Sequence, residues 1–389
     1  MLLTNKNKKT AQQANPQDRK QRLAMYLALP RNTPSATSSP ISFEINSRLW
    51  LTRVEELMGP VQKLAEKVKE GLQAAHPKLR KTVIYKLALA VGAMLEAQTP
   101  NTTELANVLP VSTERQDMRE QWLRRLLQNP LLESAAVLEP FARAEVEAAA
   151  RNGQTIILSL DQTDLGNRFA VLMLAVQVGD RSLPLAWRVE VGAANIGFAG
   201  QQVLLERVRA WLPTTAAVLL LGDRFYPSAE LFAWLHQHGW QYRLRLKGNL
   251  TVDTGCGEAT TGELAQGATE HYLPDVRLFT SGVPTNLGIL QEAGHEAPWI
   301  IAMECSPTKA AVRDYGARWA IEPMFSDFKS RGFHLEDTHL RAPDRLDRLL
   351  LIMVLAMYWC VGVGRHDARY HPTSLEKKPR RRPTPTIGA

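Results

Sequence analysis

Three carboxylates stand out for the company they keep. Asp161 closes the aliphatic run TIILSLD (155–161), Asp223 closes AVLLLGD (217–223), and Glu322 ends RWAIE (318–322). An acid at the carboxyl end of a strand lies where strand-to-loop transitions build sites in open α/β sheets. It is also where an ordinary turn begins, and taken singly either Asp reads that way. As a set they read differently. Carboxylates converging from two strands and a helix suit hard divalent cations, which take oxygen ligands. Two such ions, roughly 3.5–4 Å apart, activate a water or a 3′-hydroxyl and steady the leaving oxygen of an in-line displacement at phosphorus. Three acids so close repel one another without metal, so the cluster itself argues for a cation.

Glu322 belongs to the stretch DYGARWAIEPMFSDFKSRGFHLEDTHL (314–340). On a straight helix Tyr315, Arg318, Glu322 and Lys329 fall within roughly 60° of one face. That ridge is either a solvated face or a site in which two bases flank an acid. Pro323 removes the hydrogen bond to the residue-319 carbonyl and predicts a kink at 319–323. His334 and His339, five apart beside Glu336 and Asp337, lack the ligand number and spacing of a zinc site. Arg224, Arg243, Arg245 and Lys247 cluster near the same presumed sheet edge. They read as DNA-tracking cations or as solvated strand ends.

The elements that must position these groups follow from periodicity. Residues 1–40 are polar and read as a mobile basic leader with at most a short helix at 17–29. From 41 to 150 the apolar spacing is helical and predicts an all-helical domain. Within it, TTELANVLPVSTERQDMREQWLRRLL resembles two short helices joined by a turn. Arg115, Arg119, Arg124 and Arg125 would lie on or beside the second, as a DNA-reading helix-turn-helix or as a solvated basic face. From 151 to 247 the pattern becomes three strands, helix, strand, helix, strand. A meander followed by parallel additions through crossover helices is the ribonuclease H-like α/β plan, in which the first and fourth strands are neighbours. Residues 248–305 are Gly- and Thr-rich with short strand-like pieces, a β-rich insertion. The plan resumes over 306–365, with Ser306 as N-cap and Pro307 as first helical residue of a new helix. A basic tail occupies 366–389.

Charge supports this division. The net charge is +8, and the first 32 residues hold seven Lys or Arg against one Asp, while 365–389 hold seven against two acids. Basic arms on a near-neutral body fit a polyanion such as DNA or serve solubility alone. The three cysteines match no metal or disulfide spacing, which fits a reducing compartment. No signal peptide is expected, because Leu2 and Leu3 run straight into a Lys-rich stretch. The longest apolar run, LLLIMVLAMYWCVGVG (349–364), falls short of the ~20 residues of a spanning helix. It predicts a buried core helix in a soluble, cytoplasmic protein with no membrane partner.

DQT (161–163), GDRFY (222–226) and Y-x2-R-x3-E-x6-K (315–329) together resemble the DDE transposases of the insertion sequence 4 family, whose Tyr-Arg-Glu-Lys signature is complete here. LPLAWRVE (183–190), YRLRLKGN (242–249) and GFHLEDTHLRAPDRLDRLL (332–350) extend the resemblance over about 150–365. The resemblance implies Asp161, Asp223 and Glu322 as a triad holding two Mg²⁺ ions, with Mn²⁺ able to substitute. It implies Tyr315, Arg318 and Lys329 as binders of DNA phosphate. Its chemistry would be cut-and-paste transposition through hairpin ends, on inverted repeats and target DNA, by a homodimer at the bacterial nucleoid. Hairpin formation favours a flipped base, which needs an aromatic platform. Trp299 and Trp319 are candidates, although Trp299 in PWIIAMEC reads first as a core strand residue. A nuclease without strand transfer, or a DNA-binding derivative, would share these features.

Overall fold

The structure is a computed structural model that describes residues 59–371. The basic leader, the start of the helical domain and the tail beyond 371 lie outside the described residues, as does the short helix expected at 17–29. Five helices come first: α1 (Pro60–Ala75), α2 (Lys81–Ala97), α3 (Thr102–Val108), α4 (Gln116–Leu127) and α5 (Ser134–Ala149). α1 buries Val61, Leu64, Ala65, Val68 and Leu72, a stripe at helical spacing that packs on α2. α2 is apolar nearly all round and accordingly central, touching α1, α3, α4 and the last helix.

After a short 3₁₀ turn come β1 (Ile156–Leu165), β2 (Phe169–Val178) and β3 (Arg181–Val191), an antiparallel meander. α6 (Phe198–Arg209) leads to β4 (Val218–Gly222), and α7 (Ala229–His238) to β5 (Gln241–Arg245). β4 pairs parallel to β1 and β5 parallel to β4. The first and fourth strands are thus neighbours, as the sequence pattern predicts.

The segment read as a β-rich insertion is strand-rich but not separate. β6 (Thr251–Asp253), β7 (Glu258–Thr260), a one-turn helix α8 (Thr261–Ala265), β8 (Glu270–Leu278), β9 (Val283–Leu290) and β10 (Trp299–Met303) follow. All five strands join one ten-stranded sheet in the order β3-β2-β1-β4-β5-β10-β9-β8-β6-β7. β10 lies antiparallel against β5, with Ala302 opposite Leu244. Local pattern shows that a run is a strand, but not which edge it joins.

α9 (Lys309–Asp314) begins two residues later than the sequence suggests. Thr308, not Ser306, is the N-cap, its side chain accepting from the Ala311 amide. The chain then tightens into a 3₁₀ segment, Tyr315–Ala320, before α10 (Ile321–Phe328). Pro323 is the third residue of α10, in the first turn, where its missing N–H breaks no ladder. The expected kink is therefore a change of helix type just ahead of Pro323. The expected single ridge over 315–329 does not form, because a 3₁₀ turn advances 120° per residue rather than 100°.

α11 (Pro343–Tyr370) runs five residues past the expected start of the tail. It is apolar and long enough to cross a membrane by length and composition. Yet Leu346 and the unbroken run Leu349–Tyr358 are buried against β3, α2, α4 and α5, so it serves as the core helix. Asp347 fastens this joint: its carboxylate accepts from the Ser134 hydroxyl of α5 and the Trp187 indole of β3. Asp347→Ala would leave the Trp187 indole buried and unpartnered and the Ser134 hydroxyl with only its long contact to the residue-347 carbonyl, at about 1–3 kcal/mol each. We expect a loss of about 2–4 kcal/mol in urea denaturation. Burial raises the Asp347 carboxyl above its ordinary 3.8. The folded protein therefore binds the proton more tightly than the unfolded chain, and wild type should lose stability against Asp347→Asn as pH rises from 3.8 through that raised value. Parallel stability curves for the two proteins would refute this.

Candidate active site

Register brings the first two acids together. The β1–β4 pairing ends at Leu160 opposite Gly222, so Asp161 and Asp223 are the next residue on each strand. Asp161 does not end its strand, as its sequence suggested. β1 continues to Leu165 with β2 alone as partner, and Asp161 faces Met173 across that ladder. β4 stops at Gly222, and the gap beside Asp161 is the opening of the site.

Each carboxylate is oriented locally. Asp161 Oδ1 accepts from its neighbour's amide, Gln162 N, at 2.9 Å, and from the Tyr226 hydroxyl at 3.0 Å. Asp223 Oδ1 accepts from Arg224 N at 2.7 Å and, at 3.5 Å, from the Tyr315 hydroxyl. Gln162 turns its own side chain away, accepting from Ile196 N and donating to Ala194 O, which pins the loop after β3.

Arg318 is the hub. Its Nη1 donates to Asp161 Oδ2 at 3.0 Å and its Nη2 to Glu322 Oε1 at 3.2 Å. Its plane also lies near the rings of Tyr315 and Trp319, 5.8 and 5.5 Å from their centroids. Burial pushes the Asp161 carboxyl above its ordinary range; Arg318 pulls it back, and Asp223 adds to the rise. Burial works against the charge of Arg318, but Tyr315, Asp161, Asp223 and Glu322 outweigh it and hold the guanidinium above its usual value. The phenol of Tyr315 is pushed up to about 12, chiefly by burial.

The scaffold beneath is rigid. Arg243 of β5 donates to Glu304, Asp314 and the Ala311 carbonyl, fixing the middle and the last residue of α9 to the sheet. Gly288 of β9 lets Val312 of α9 lie against the strand, where an added Cβ would meet Val312 Cγ2 at 2.2 Å. These contacts deliver Tyr315 and Arg318 to the mouth between β1 and β4.

The residues from 157 to 359 match the model of the family described as Transposase DDE domain. The chain belongs to that family. Membership supports a transposase or nuclease acting on DNA. No curated protein matches the chain. Among solved structures, the crystal structure of human ENDOV is similar at 13% identity, covering 58% of this chain and 98% of that one, with a TM-score of 0.24.

Within this DDE domain, the donor set fits a divalent cation in chemistry but not in present spacing. Asp161, Asp223 and Glu322 offer hard oxygen ligands. Among the described residues, however, no three acids, histidines or cysteines stand close enough to share an ion. The Arg318 guanidinium lies between Asp161 and Glu322 and supplies the positive charge there.

Several of the expected DNA contacts have partners within the protein. Tyr315 is fully buried, and its hydroxyl donates to Asp223. Arg318 donates to the carboxylates of Asp161 and Glu322. Arg243 is 6% exposed and saturated by acids and carbonyls. Trp299 is 5% exposed, enclosed by Tyr315, His295 and the stacked ring of Trp319, so it is a core residue and not an open platform. Arg119 donates to the Thr113 and Asn107 carbonyls and pins the turn from α3 to α4. Arg115 is exposed but paired with Asp117, while Arg124 and Arg125 stand exposed at the end of α4. Lys329 is half-buried, donating to the Asp164 carbonyl and pairing with Glu336. Tyr226 was missed by sequence reasoning. Its only signal was an aromatic three residues after Asp223, and burial between Asp161 and Asp223 drives its phenol far upward.

Proposed function

We propose that this protein is a cut-and-paste DNA transposase of the insertion sequence 4 kind, with a ribonuclease H-like catalytic domain. One observation carries the reading: the β1–β4 register sets Asp161 beside Asp223, and Arg318 links that pair to Glu322. In this reading Asp161, Asp223 and Glu322 hold two Mg²⁺ or Mn²⁺ ions. When bound, the ions activate a water or 3′-hydroxyl and neutralise charge at phosphorus. The chain's own groups do the rest. Tyr226 and Tyr315 orient the two Asp carboxylates by hydrogen bonds, Arg318 balances their charge, and Lys329, partly exposed at the rim, meets DNA phosphate. Arg124 and Arg125 on α4, with the basic arms, contact the backbone of inverted repeats and target DNA. Hairpin ends, a homodimer that synapses two ends, and action on nucleoid DNA in the cytoplasm complete the proposal.

The test is purified full-length protein, a DNA end bearing the element's inverted repeat, and a target plasmid. Cleaved and joined products are expected with Mg²⁺ or Mn²⁺ and none with excess EDTA. Cleavage without joining would replace the transposase by a nuclease of the same triad. Cleavage undiminished in EDTA would remove the metal from the mechanism.

A further inference from the structure

Asp161 has one oxygen left to give, and Arg318 is on it. Its Oδ1 already accepts two neutral donors, Gln162 N and the Tyr226 hydroxyl, one for each lone pair. Oδ2 takes Arg318 Nη1 at 3.0 Å. The other arm of the same guanidinium, Nη2, reaches Glu322 Oε1 at 3.2 Å, so one planar group spans two of the three acids. A divalent cation bonds carboxylate oxygen at about 2.0–2.6 Å and needs the ground the guanidinium holds, where the two positive charges repel. Three features let this contact be exchanged. Glu322 has 52% of its side chain exposed, so water screens that arm. Arg318 Nε is buried with no acceptor in hydrogen-bond geometry, so part of the guanidinium is unsatisfied where it lies. Arg318 also rides on the 3₁₀ segment Tyr315–Ala320 between α9 and α10, and a 3₁₀ stretch within a longer helical run is a common place for a hinge.

We propose that the Arg318 guanidinium and a divalent cation exclude each other at Asp161 and Glu322, so that the free protein binds the cation weakly and a DNA phosphate admits it by drawing the guanidinium away. A phosphodiester suits this exchange, because its two anionic oxygens match the guanidinium fork as carboxylate oxygens do. The two outer nitrogens of Arg318 cannot fork on a phosphate and span Asp161 and Glu322 at once. DNA binding therefore uncovers Oδ2 of Asp161 and Oε1 of Glu322 together. Neither carboxylate is stranded by the exchange, since one positive charge is replaced by another. The device ties ion binding to an engaged DNA end and suppresses strand cleavage elsewhere. It rests on the transposase reading and names what regulates that same site.

The experiment titrates Mn²⁺ into full-length protein and reads the free ion by electron paramagnetic resonance. Each titration is run with and without a pre-cut element end whose 3′ termini are dideoxy, so that nothing is joined, and DNA alone is the blank. Wild type is expected to bind Mn²⁺ about tenfold more tightly with DNA present, and Mn²⁺ to tighten DNA binding by the same factor. Arg318→Gln should bind Mn²⁺ about tenfold more tightly than wild type without DNA, and its further gain from DNA should shrink accordingly. Arg318→Lys, which can accompany Asp161 but not reach both acids, should lie between. It carries the test if circular dichroism in EDTA shows Arg318→Gln unfolded. Arg224→Gln removes an exposed cation that bonds Asp223 only through its backbone amide, and should titrate like wild type. Asp161→Asn should lose the tight ion with or without DNA. Equal Mn²⁺ affinity of wild type with and without DNA overturns the proposal. So does a folded Arg318 variant that binds Mn²⁺ no more tightly than wild type, or an Arg224→Gln protein that gains as much. The transposase reading fails separately, through absence of joined product on reactive ends while the exclusion stands.

Discussion

Asp161→Asn and Asp223→Asn, made separately, should each lower DNA strand cleavage by about 10³-fold or more, roughly 4 kcal/mol of barrier. Asn is nearly isosteric with Asp, so the strand register and the hydrogen bonds from Tyr226, Tyr315 and the local amides can persist. What disappears is a full negative charge at the one place where β4 ends and β1 runs on. A neutral amide oxygen is a weaker ligand for a hard cation than a carboxylate oxygen. DNA binding should be unchanged or tighter, because duplex affinity comes from Lys and Arg on phosphate and the substitution removes an acid. Gel shift and cleavage on the same end fragment separate the two effects. An Asp161→Asn protein that still cuts at a tenth of the wild-type rate would remove Asp161 from the catalytic set.

These two acids were legible in the sequence, for a reason that also limits the reading. Short aliphatic runs bounded by polar residues identify buried strands, and an acid at the boundary marks the sheet edge. Asp223 is such a boundary. Asp161 is not, since QTDL continues β1 beyond it, and only the non-local pairing shows that β4 has already ended. The same limit explains residues 248–305. Their strands were visible one by one, but their union with β5 through β10 depends on pairing partners far along the chain. Glu322 was found by spacing from Arg318, which survives in the 3₁₀-to-α transition because neighbours four apart still meet. Helix arithmetic gives a face and not its direction. Tyr315 and Arg318 turn inward against the sheet, while Phe225, never singled out, turns outward.

Arg318→Ala should be the most destabilising single change in the site, costing about 3–5 kcal/mol, because it strands a buried carboxylate. Arg318 is itself 7% exposed, and its partner Asp161 is enclosed more deeply than Glu322. The exposed Glu322 contact contributes little, since water screens it. Most of the loss therefore comes from Asp161, whose carboxyl burial already raises and Arg318, ahead of Gln162 and Tyr226, restrains. A double-mutant cycle tests this attribution. In an Asp161→Asn background no charge is stranded, so the cost of Arg318→Ala should fall by about 1–3 kcal/mol. Urea denaturation in EDTA is the measurement, since it reads the interaction without catalysis. Arg318→Lys should recover only part of the loss, because a point charge cannot fork between Asp161 and Glu322. Additive costs in the cycle would assign Arg318 instead to its stacking against Tyr315 and Trp319. In that case the guanidinium would brace the aromatic wall of the site, and the two acids would tolerate each other without it.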